Sequence, residues 1–508
     1  MSGMTRRQVV LGTLGAALGT TALPFLAVAP ALQGDGHELV VADASAPPPS
    51  LDPFKVYGTQ AQSLFRLIYS PLFDRAPDGK LVAPFLERWG QADAVTWEFR
   101  LRPGVRFQDG GELTAADVVY SLKRIVDPEV QSPRRHEFEE FEAIVALDPR
   151  TFRVVTKRPY ALLPARLSQF SMLLPERLRD RPEAEFFQRP VGLGSFRLAE
   201  INVEQAVLLA FPEHFSGPPG VPRITFRFIA SPGERFQRLL AGSVDVVTNL
   251  PPQQVDAIMR ARAVHLMKRH STRFMNIMFD TTHGPLARLP ARQALRHGTD
   301  LDGLVKYVAR GNGRPLACPV LPEDFGFNAD LRPYPFDPGK ARALLTQSGY
   351  PDGFRLRGLA TYDTRIVATA VARQWAKLGV NLALTVEGRA QATERWIREP
   401  GLHDVRFLDP TSIIYDASYQ LRLHVDPKHP VARSPHPRGL ELLNRSDEER
   451  DPDARAALLR EVQVIVYDQA LGLPLYQVVD LYGVGNRVHG FVPSADTILR
   501  LASVTVTP

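Results

Sequence analysis

The chain has 508 residues, and because single hydrophobic cores stop growing at about 250 to 300 residues, two or three domains are expected. Its composition, with 44% apolar and 23% charged residues, is that of a globular protein and excludes a disordered or multi-span membrane chain. The formal net charge of +6 is small for this length, and no basic stripe interleaved with aromatic residues occurs, which excludes nucleic-acid binding. Cys318 is the single cysteine, so no intrachain disulfide is possible, and its apolar neighbours predict a buried structural thiol.

The N-terminus has the pattern of an export signal. Arg6 and Arg7 precede a run without charge over residues 9–32, and small side chains close that run. The stretch "TRRQVVL" resembles the twin-arginine export motif. We expect cleavage after Ala31, because a proline follows Ala29; an uncleaved anchor is the alternative, since about 20 apolar residues span a bilayer. No cysteine stands directly after the run, so a soluble periplasmic protein without a lipid tether is predicted.

Residues 95–125 predict a strand, a turn and a helix. Apolar and polar residues alternate over residues 95–101, which is the period of a half-buried strand. A capping-box pattern places Asp117 in the first turn of the following helix, where the helix dipole favours negative charge. Asp109 belongs to a glycine-rich turn and Glu112 is expected in solvent. The spacing of these three carboxylates does not match a calcium loop, so a structural role is expected.

This segment resembles the signature region of the family 5 extracellular solute-binding proteins of ABC importers, the oligopeptide, dipeptide and nickel-binding group. The shared features are the strand "FRLR", the turn "PGVRFQDG" and the helix start "TAADVV". Further segments resemble the family in the same order along the chain: "SLDPFKVYGTQAQSLFRLIYSPLFD", "PVGLGSFRL", "AGSVDVV", "NIMFDTTHGPLARLPARQALRHGTDLDGLV" and "FDPGKARALLTQSGYPDGF". The resemblance therefore covers essentially the whole chain after the signal.

The last of these segments also predicts a helix from its residues alone. Asp337 is a good N-cap, and Pro338 suits the first helical position. Ala341 and Leu345 then fall on one apolar face, and Gly349 is placed to end the helix. Local chemistry and family resemblance agree at this point.

The resemblance implies an α/β fold of the two-lobed periplasmic binding protein type (type II, large peptide-binding class), with an extra subdomain in the first lobe. The expected division is a signal peptide over residues 1–31, a core of lobe one over 32–74, 189–268 and 482–508, the extra subdomain over 75–188, and lobe two over 269–481. The functional site is expected in the cleft between the lobes.

The loop that identifies peptide binders in this family is altered here. In peptide-binding relatives, a second-lobe loop carries a Trp that shapes a pocket and an Asp that pairs with the ammonium group of the peptide. The corresponding region "GLHDVRFLDPTSIIYDASYQLRLHVDPKHPV" lacks both residues. Asp409 or Asp416 could bind an amine from a shifted position, and Arg406 and Tyr415 of the same region are further candidates. Tyr57 is a candidate because its loop lines the cleft in relatives.

Histidines crowd the same region and raise the alternative of a nickel chelate as ligand. They are His403, His424, His429 and His436, of which His429 is the candidate metal ligand. Their spacings fit no compact metal motif, and "LSQFSMLLP" lacks an arginine that nickel-binding relatives carry, so no metal and no cofactor is expected.

Three other residues are expected to have structural or solvated positions. Trp375 lies on an amphipathic helix and is expected in the core rather than in the cleft. Arg134 and Arg135 are adjacent and could bind an anion, although a solvated pair is the expectation.

Together these features predict a monomeric periplasmic receptor that delivers a small organic solute, peptide-like by family resemblance, to an ABC permease and its ATPase. A nickel chelate, an opine or a sugar are alternative ligands of the same fold. Ligand in the cleft would favour the closed state through its differential affinity. A secreted hydrolase is the competing class, but the sequence contains no metalloprotease helix, nucleophile elbow or phosphate-binding glycine loop.

Overall fold

The computed structural model describes residues 37–56, 61–169 and 171–508, so the predicted export signal lies outside the described residues. Up to residue 188 the elements are β1 (Leu39–Asp43), α1 (Gln62–Ile68), β2 (Asp74–Arg75), β3 (Leu81–Val82), β4 (Leu86–Gln91), β5 (Thr96–Leu101), α2 (Ala115–Val126), β6 (Phe141–Asp148), β7 (Thr151–Thr156), α3 (Leu163–Leu167) and α4 (Glu183–Gln188). They are followed by β8 (Phe196–Ile201), β9 (Gln205–Ala210), β10 (Arg223–Phe228), α5 (Pro232–Leu240), β11 (Val246–Val247), α6 (Val255–Arg260) and β12 (Val264–Phe279).

The second half of the chain alternates helices with strands. Its elements are α7 (Leu289–His297), α8 (Leu301–Gly303), β13 (Gly313–Pro315), α9 (Pro338–Gln347), β14 (Arg355–Thr361), α10 (Arg365–Ala376), β15 (Asn381–Glu387), α11 (Arg389–Arg398), β16 (Val405–Leu408), α12 (Ala417–Val425), α13 (Pro437–Glu448), α14 (Pro452–Asp468), β17 (Gly472–Gly485), β18 (Val488–His489) and β19 (Thr505–Val506). The expected α/β class is confirmed. Within the described ranges, no helix has both the length and the apolar character that crossing a membrane requires.

Two long strands join the parts of one large sheet. In the described residues the sheet has eleven strands in the order β15–β14–β16–β12–β17–β11–β1–β10–β9–β8, with β13 added on β17. We call β8, β9, β10, β1 and β11 with their helices the first lobe, and β14, β15 and β16 with their helices the second lobe. The antiparallel pair β12 and β17 runs from Val264↔Gly485 to Met278↔Gly472 and so connects both lobes. The expected lobe boundaries at residues 268 and 482 fall within these two strands.

The ladder between β12 and β17 is interrupted between the lobes. Its register shifts between His270 and Phe274, where the residues between these two leave the regular pairing. A bulge of this kind bends the strand and re-aims side chains. Arg273 lies in this interruption, and its backbone forms an isolated antiparallel bridge with Thr411.

The extra subdomain contains a sheet of its own. Strands β4, β5, β7 and β6 form a separate antiparallel sheet in that order. On β5 the side chains of Trp97, Phe99 and Leu101 are buried and alternate with partly exposed ones, which confirms the predicted strand. The ring of Phe99 stacks on that of Phe152 in β7 with a centroid separation of 4.8 Å. The same hydrophobic cluster includes the apolar face of α2.

The three carboxylates of this region all have structural partners. Asp117 accepts a hydrogen bond from the backbone N–H of Thr114 at 2.8 Å, so it caps α2 as predicted. Asp109 accepts from the backbone N–H of Gly111 at 3.2 Å and forms an ion pair with Arg177. Glu112 is exposed. The predicted structural roles of the turn and the helix cap are therefore confirmed.

The second lobe also follows local expectations. Asp337 caps α9 by accepting from the backbone N–H of Lys340 at 2.8 Å, and Gly349 follows the helix with a φ of +83°. Trp375 is fully buried, and its indole N–H donates to Thr299 Oγ1 at 2.9 Å. Cys318 is buried among apolar side chains of α12, α13 and α14, and this burial raises the pKa of its thiol to about 12. The core predictions for Trp375 and Cys318 are confirmed.

The end of the chain returns to the first lobe. Leu501 and Val504 belong to the same hydrophobic cluster as Leu39 of β1. The backbone N–H of Leu499 donates to Ser63 Oγ, on α1, at 3.0 Å. Residues near both ends of the described part of the chain therefore complete one core.

Candidate ligand-binding cleft

A cavity of about 370 Å³ lies where parallel strands of both lobes end. In the first lobe, β1 is parallel to β10 and β11; Asp43 ends β1, and Thr248 and Asn249 follow β11. In the second lobe, β14 is parallel to β15 and β16, and Arg389 and Asp409 follow the ends of β15 and β16. The carboxyl ends of parallel strands lie at one edge of a sheet, and ligands of α/β proteins bind there. The cavity has this position with respect to both lobes.

The strands that connect the lobes contribute to the same cavity. Arg273, from the interrupted part of β12, and Tyr482, from β17, line it. The backbone N–H of Phe274 donates to the carbonyl of Pro410 at 3.1 Å, which holds the loop after β16 against β12. The cavity is therefore bounded by both lobes and by the strands that connect them.

A chain of alternating charges crosses the second-lobe wall. Arg273 forms an ion pair with Asp480 at 2.8 Å and lies 3.8 Å from Asp409. Arg389 pairs with Asp409 at 2.8 Å and with the exposed Asp363 at 3.2 Å. Burial lowers the pKa of each of these two guanidinium groups, but the neighbouring carboxylates outweigh burial and raise it. Asp409 is thus a buried carboxylate that already has two cationic partners.

The first-lobe wall has a different composition. Asp43 is buried, and its Oδ2 accepts a hydrogen bond from Thr248 Oγ1 at 2.7 Å. Its Oδ1 accepts from the backbone N–H of Ser45 at 2.8 Å and also contacts the hydroxyl of that residue. Asn249 beside it has a φ of +50°, a left-handed conformation that asparagine tolerates better than most residues. This wall presents a carboxylate held by neutral donors.

The remaining wall combines apolar and charged side chains. Ile413, Tyr419 and Leu423 line it from the loop before α12 and from that helix. Arg134 of the extra subdomain also lines the cavity, is buried, and pairs with Glu137 at 2.6 Å. The expectation of a solvated Arg134 was wrong, because a carboxylate three residues later compensates the burial of its charge.

The predicted site residues do not all line the cavity. Asp409 lines the cavity, whereas Tyr57 lies outside the described residues. Arg406 is buried on β16 and donates to Thr393 Oγ1 of α11 at 2.6 Å, so its side chain packs against that helix and not in the cavity lining. Burial, together with the charge of Arg389, lowers the pKa of Arg406 to about 10.

Tyr415 and Asp416 have partners outside the cavity lining. Asp416 caps α12 by accepting from the backbone N–H of Ser418 at 3.0 Å, and it pairs with Arg455 of α14 at 2.7 Å. The ring of Tyr415, a residue with a φ of +55°, lies 4.7 Å below the guanidinium of Arg75. Neither side chain is placed with Asp409, so the structure does not bring the four candidates of this region together.

The histidines of this region are separated by the fold. His424 is buried in α12, where burial lowers its pKa to about 4, and its ring contacts the carbonyl of Leu471 at 3.3 Å. His436 caps α13 by accepting from the backbone N–H of Gly439 at 3.1 Å, and His429 contacts the backbone N–H of Val431 at 3.4 Å. In the part of the chain that the structure describes, no three His, Cys, Asp or Glu side chains are grouped so that they could hold a metal ion.

Sequence reasoning missed most of the polar groups of the cavity. Asp43, Arg273 and Arg389 are each more than one hundred residues from the next along the chain, and none of them belongs to a motif. The available signal was their position just after, or in an interruption of, predicted strands, because strand ends gather ligand-binding groups. Arginines, carboxylates, hydroxyls and tyrosines together can recognise a charged, hydrogen-bonding solute.

Comparisons with known proteins agree with this architecture. Residues 80–429 match the family model "Bacterial extracellular solute-binding proteins, family 5 Middle". The chain is 27% identical over 368 residues to the glutathione-binding protein GsiB of Pectobacterium atrosepticum, a match that covers 70% of this chain and 71% of the relative.

Solved structures show the same fold. The periplasmic binding protein DppA of Helicobacter pylori, in complex with the peptide STSA, has a TM-score of 0.80 and 22% identity, covering 93% of this chain and 98% of its own. AgaA of A. tumefaciens R10, in complex with agropinic acid, has a TM-score of 0.78 and 23% identity, covering 93% and 99%. The fold is that of the two-lobed type II periplasmic binding proteins. Since the family model covers well over half of its length, the chain belongs to family 5 of the bacterial extracellular solute-binding proteins, the solute-binding components of ABC importers.

Proposed function

We propose that this protein is the periplasmic receptor through which an ABC importer captures a peptide or peptide-like solute, and that the solute binds in the cavity between the lobes. The observation that carries the proposal is the presence of charges of both signs on strand ends of both lobes, above all Asp43 and Arg389. A short peptide offers an ammonium group, a carboxylate and amides, which these side chains complement. Relatives named for glutathione and for peptide binding support this solute class.

The size of the cavity supports a small solute. Its volume of about 370 Å³ lies at the lower end of the roughly 300 to 1,000 Å³ found for small-molecule sites. Such a space suits a solute of two or three residues rather than a long peptide.

Contacts between the lobes suggest how binding is coupled to closure. Arg75 of the first-lobe hairpin β2–β3 donates to the carbonyl of Ile414 at 2.6 Å, and the backbone N–H of Ala161 donates to the carbonyl of Asp447 at 2.8 Å. These contacts hold the extra subdomain against the second lobe. A solute that touches both lobes adds to them and favours the closed state, which the permease and ATPase would recognise.

Export, assembly and lobe boundaries complete the proposal. The protein reaches the periplasm through a twin-arginine signal that carries Arg6 and Arg7 and is cleaved after Ala31. It acts as a monomer and releases its solute chemically unchanged. The first lobe comprises residues 32–74, 189–268 and 482–508 with the subdomain 75–188, and the second lobe comprises 269–481.

An opine is the second candidate solute. AgaA, whose structure contains agropinic acid, has the same fold. Arg273 and Arg389 offer the planar guanidinium groups that bind carboxylates in a bidentate manner. An opine carries carboxylates and hydroxyls but, unlike a peptide, has no free N-terminus.

The test is direct identification of the solute. The mature protein is purified without denaturation, its retained ligand is identified by mass spectrometry, and binding is measured by calorimetry with that ligand and with dipeptides, tripeptides, glutathione and opines. Arg389→Ala should weaken binding about 10-fold to 100-fold, since a hydrogen bond to a charged group contributes about 1.5 to 3 kcal/mol. Arg373→Ala, which removes an exposed arginine of α10, is the matched control and should change nothing. Absence of binding and of thermal stabilisation across the panel and a native extract would refute the proposal.

A further inference from the structure

Asp43 is a buried carboxylate that faces the cavity without a cationic partner. Asp43 is only 9% exposed, and its two carboxylate oxygens accept hydrogen bonds from the hydroxyl of Thr248 and from the backbone N–H of Ser45. Across the described ranges of the chain, Asp43 takes part in no ion pair, although forty such pairs occur there. A buried carboxylate whose hydrogen bonds come from neutral donors keeps a strong preference for a nearby cation.

One cation of the first lobe interacts with Asp43 electrostatically, but its hydrogen bonds go to backbone carbonyls. Burial lowers the pKa of Arg235 of α5, and the charge of Asp43 opposes this effect. The Nη1 of Arg235 donates to the carbonyls of Ile229 at 2.6 Å and Ala230 at 3.0 Å. Its Nη2 donates to the carbonyl of Asn249 at 3.1 Å. This guanidinium therefore ties two loops together and leaves the cavity side of Asp43 for another positive group.

The second-lobe wall has the opposite character. Asp409 already lies between Arg273 and Arg389, so an ammonium group there would have to compete with two guanidinium groups. Arg389 is 53% exposed and its second partner, Asp363, is 69% exposed. Exposed ion pairs are weak, so the carboxylate of a ligand can replace Asp363 at small cost.

We propose that the cleft binds a zwitterion in one orientation, with the ammonium group at Asp43 of the first lobe and the carboxylate at Arg389 of the second lobe. The inference rests on the proposed function and moves the amine anchor away from the second-lobe loop in which peptide-binding relatives carry it. A ligand held in this way links the lobes through its two charged ends. Each end is then required for closure as well as for affinity.

The probes are three matched peptide libraries. The first contains free dipeptides and tripeptides, the second their N-acetylated forms and the third their C-terminal amides. Thermal shift selects the best binder of the wild-type protein, and calorimetry at pH 7 compares its free, acetylated and amidated forms. Acetylation and amidation should each weaken binding at least about 30-fold, because each leaves one desolvated charge of the site without a partner.

Variants assign the two ends. Arg389→Ala should bind the free and the amidated peptide with similar, weakened affinity, while acetylation keeps its effect. Asp43→Asn should bind the free and the acetylated peptide with similar, weakened affinity, while amidation keeps its effect. Asp409→Asn should retain the discrimination against acetylation. Asp256→Asn removes an exposed acid of α6 in the same lobe and should behave as wild type. If Asp43→Asn does not fold, Asp43→Glu should preserve the acetylation effect. The comparison of free and acetylated peptides on the wild-type protein still tests whether the site binds the ammonium group.

The outcomes separate this inference from the proposed function. Peptide binding that is insensitive to acetylation, or a loss of the acetylation effect in Asp409→Asn rather than in Asp43→Asn, would overturn the inference and leave the proposed function intact. If no member of any library binds, the proposed solute class falls and the inference with it. Discrimination against both blocked forms that depends on Asp43 and Arg389 establishes both.

Discussion

Replacing Asp416 by asparagine should lower stability and leave ligand affinity unchanged, although the sequence presents Asp416 as a ligand-binding candidate. Its carboxylate accepts two hydrogen bonds from Arg455, at 2.7 and 3.0 Å. The two side chains are only 5% and 8% exposed. Burial by itself lowers the pKa of Arg455, but the charge and hydrogen bonds of Asp416, together with the charge of Asp447, raise it overall. The pair joins the start of α12 to α14.

The magnitude follows from the charge that is left behind. Removal of one partner from a buried ion pair costs about 3 to 5 kcal/mol. Arg455 keeps a hydrogen bond to the carbonyl of Ser446 at 2.9 Å and lies 4.8 Å from the ring centroid of Phe325. Asparagine also still caps a helix, so the loss of the cap is small. We therefore expect the lower end of the range, about 3 kcal/mol.

The assay is urea-induced unfolding of Asp416→Asn, Arg455→Met and the double variant, with calorimetry of ligand binding in parallel. The two changes should be coupled by about 2 to 3 kcal/mol, because the double variant removes both charges. A cost below about 1 kcal/mol for Asp416→Asn would show that the pair is not structural. A selective loss of ligand affinity with unchanged stability would instead restore Asp416 as a site residue.

Three further predictions use single substitutions or reagents. Burial raises the pKa of Asp324 to about 7 from its ordinary value of 3.8, so the stability that its protonated form supplies at acid pH is lost as the pH rises toward 7. Urea unfolding should therefore show wild type losing about 2 kcal/mol relative to Asp324→Asn between pH 5 and pH 7, and parallel pH profiles would contradict this. Gly192→Ala should cost more than about 3 kcal/mol or prevent folding, because its Cβ would lie 2.2 Å from the carbonyl oxygen of Ile68, whereas Gly90→Ala, with open space around it, should be nearly neutral in thermal melts. The thiol of Cys318 should react with a thiol reagent only after unfolding, since burial raises its pKa to about 12; rapid labelling of the native protein would exclude the buried position.

Features that depend on neighbouring residues were predictable from the sequence. The alternation along β5, the cap of α2 by Asp117 and the start of α9 at Pro338 each rest on a few adjacent side chains. The order of motifs also identified the family, which the family model confirms over residues 80–429. Local propensity and order along the chain therefore sufficed for the fold.

The cavity was less predictable because its residues meet only after the lobes have formed. Asp43 and Arg389 follow strands whose ends come together across two lobes, and neither belongs to a motif. The role of Asp416 depends on Arg455, a partner on another helix, and an isolated aspartate gives no sign of that partner. Asp409 was predicted as a site residue because the family resemblance pointed to its loop. Its partners Arg273 and Arg389 were not predicted.

The return of the C-terminus to the first lobe bears on how the protein is made. Leu39 and Leu501 share one core, so the earliest described strand waits for almost the entire chain before its packing is complete. At about 5 to 20 residues per second, synthesis of the intervening residues takes roughly 20 to 90 seconds. During that time the unfinished lobe exposes apolar strands, and we expect nascent chains to depend on chaperones. Deletion of even the last ten residues should then yield an aggregation-prone protein.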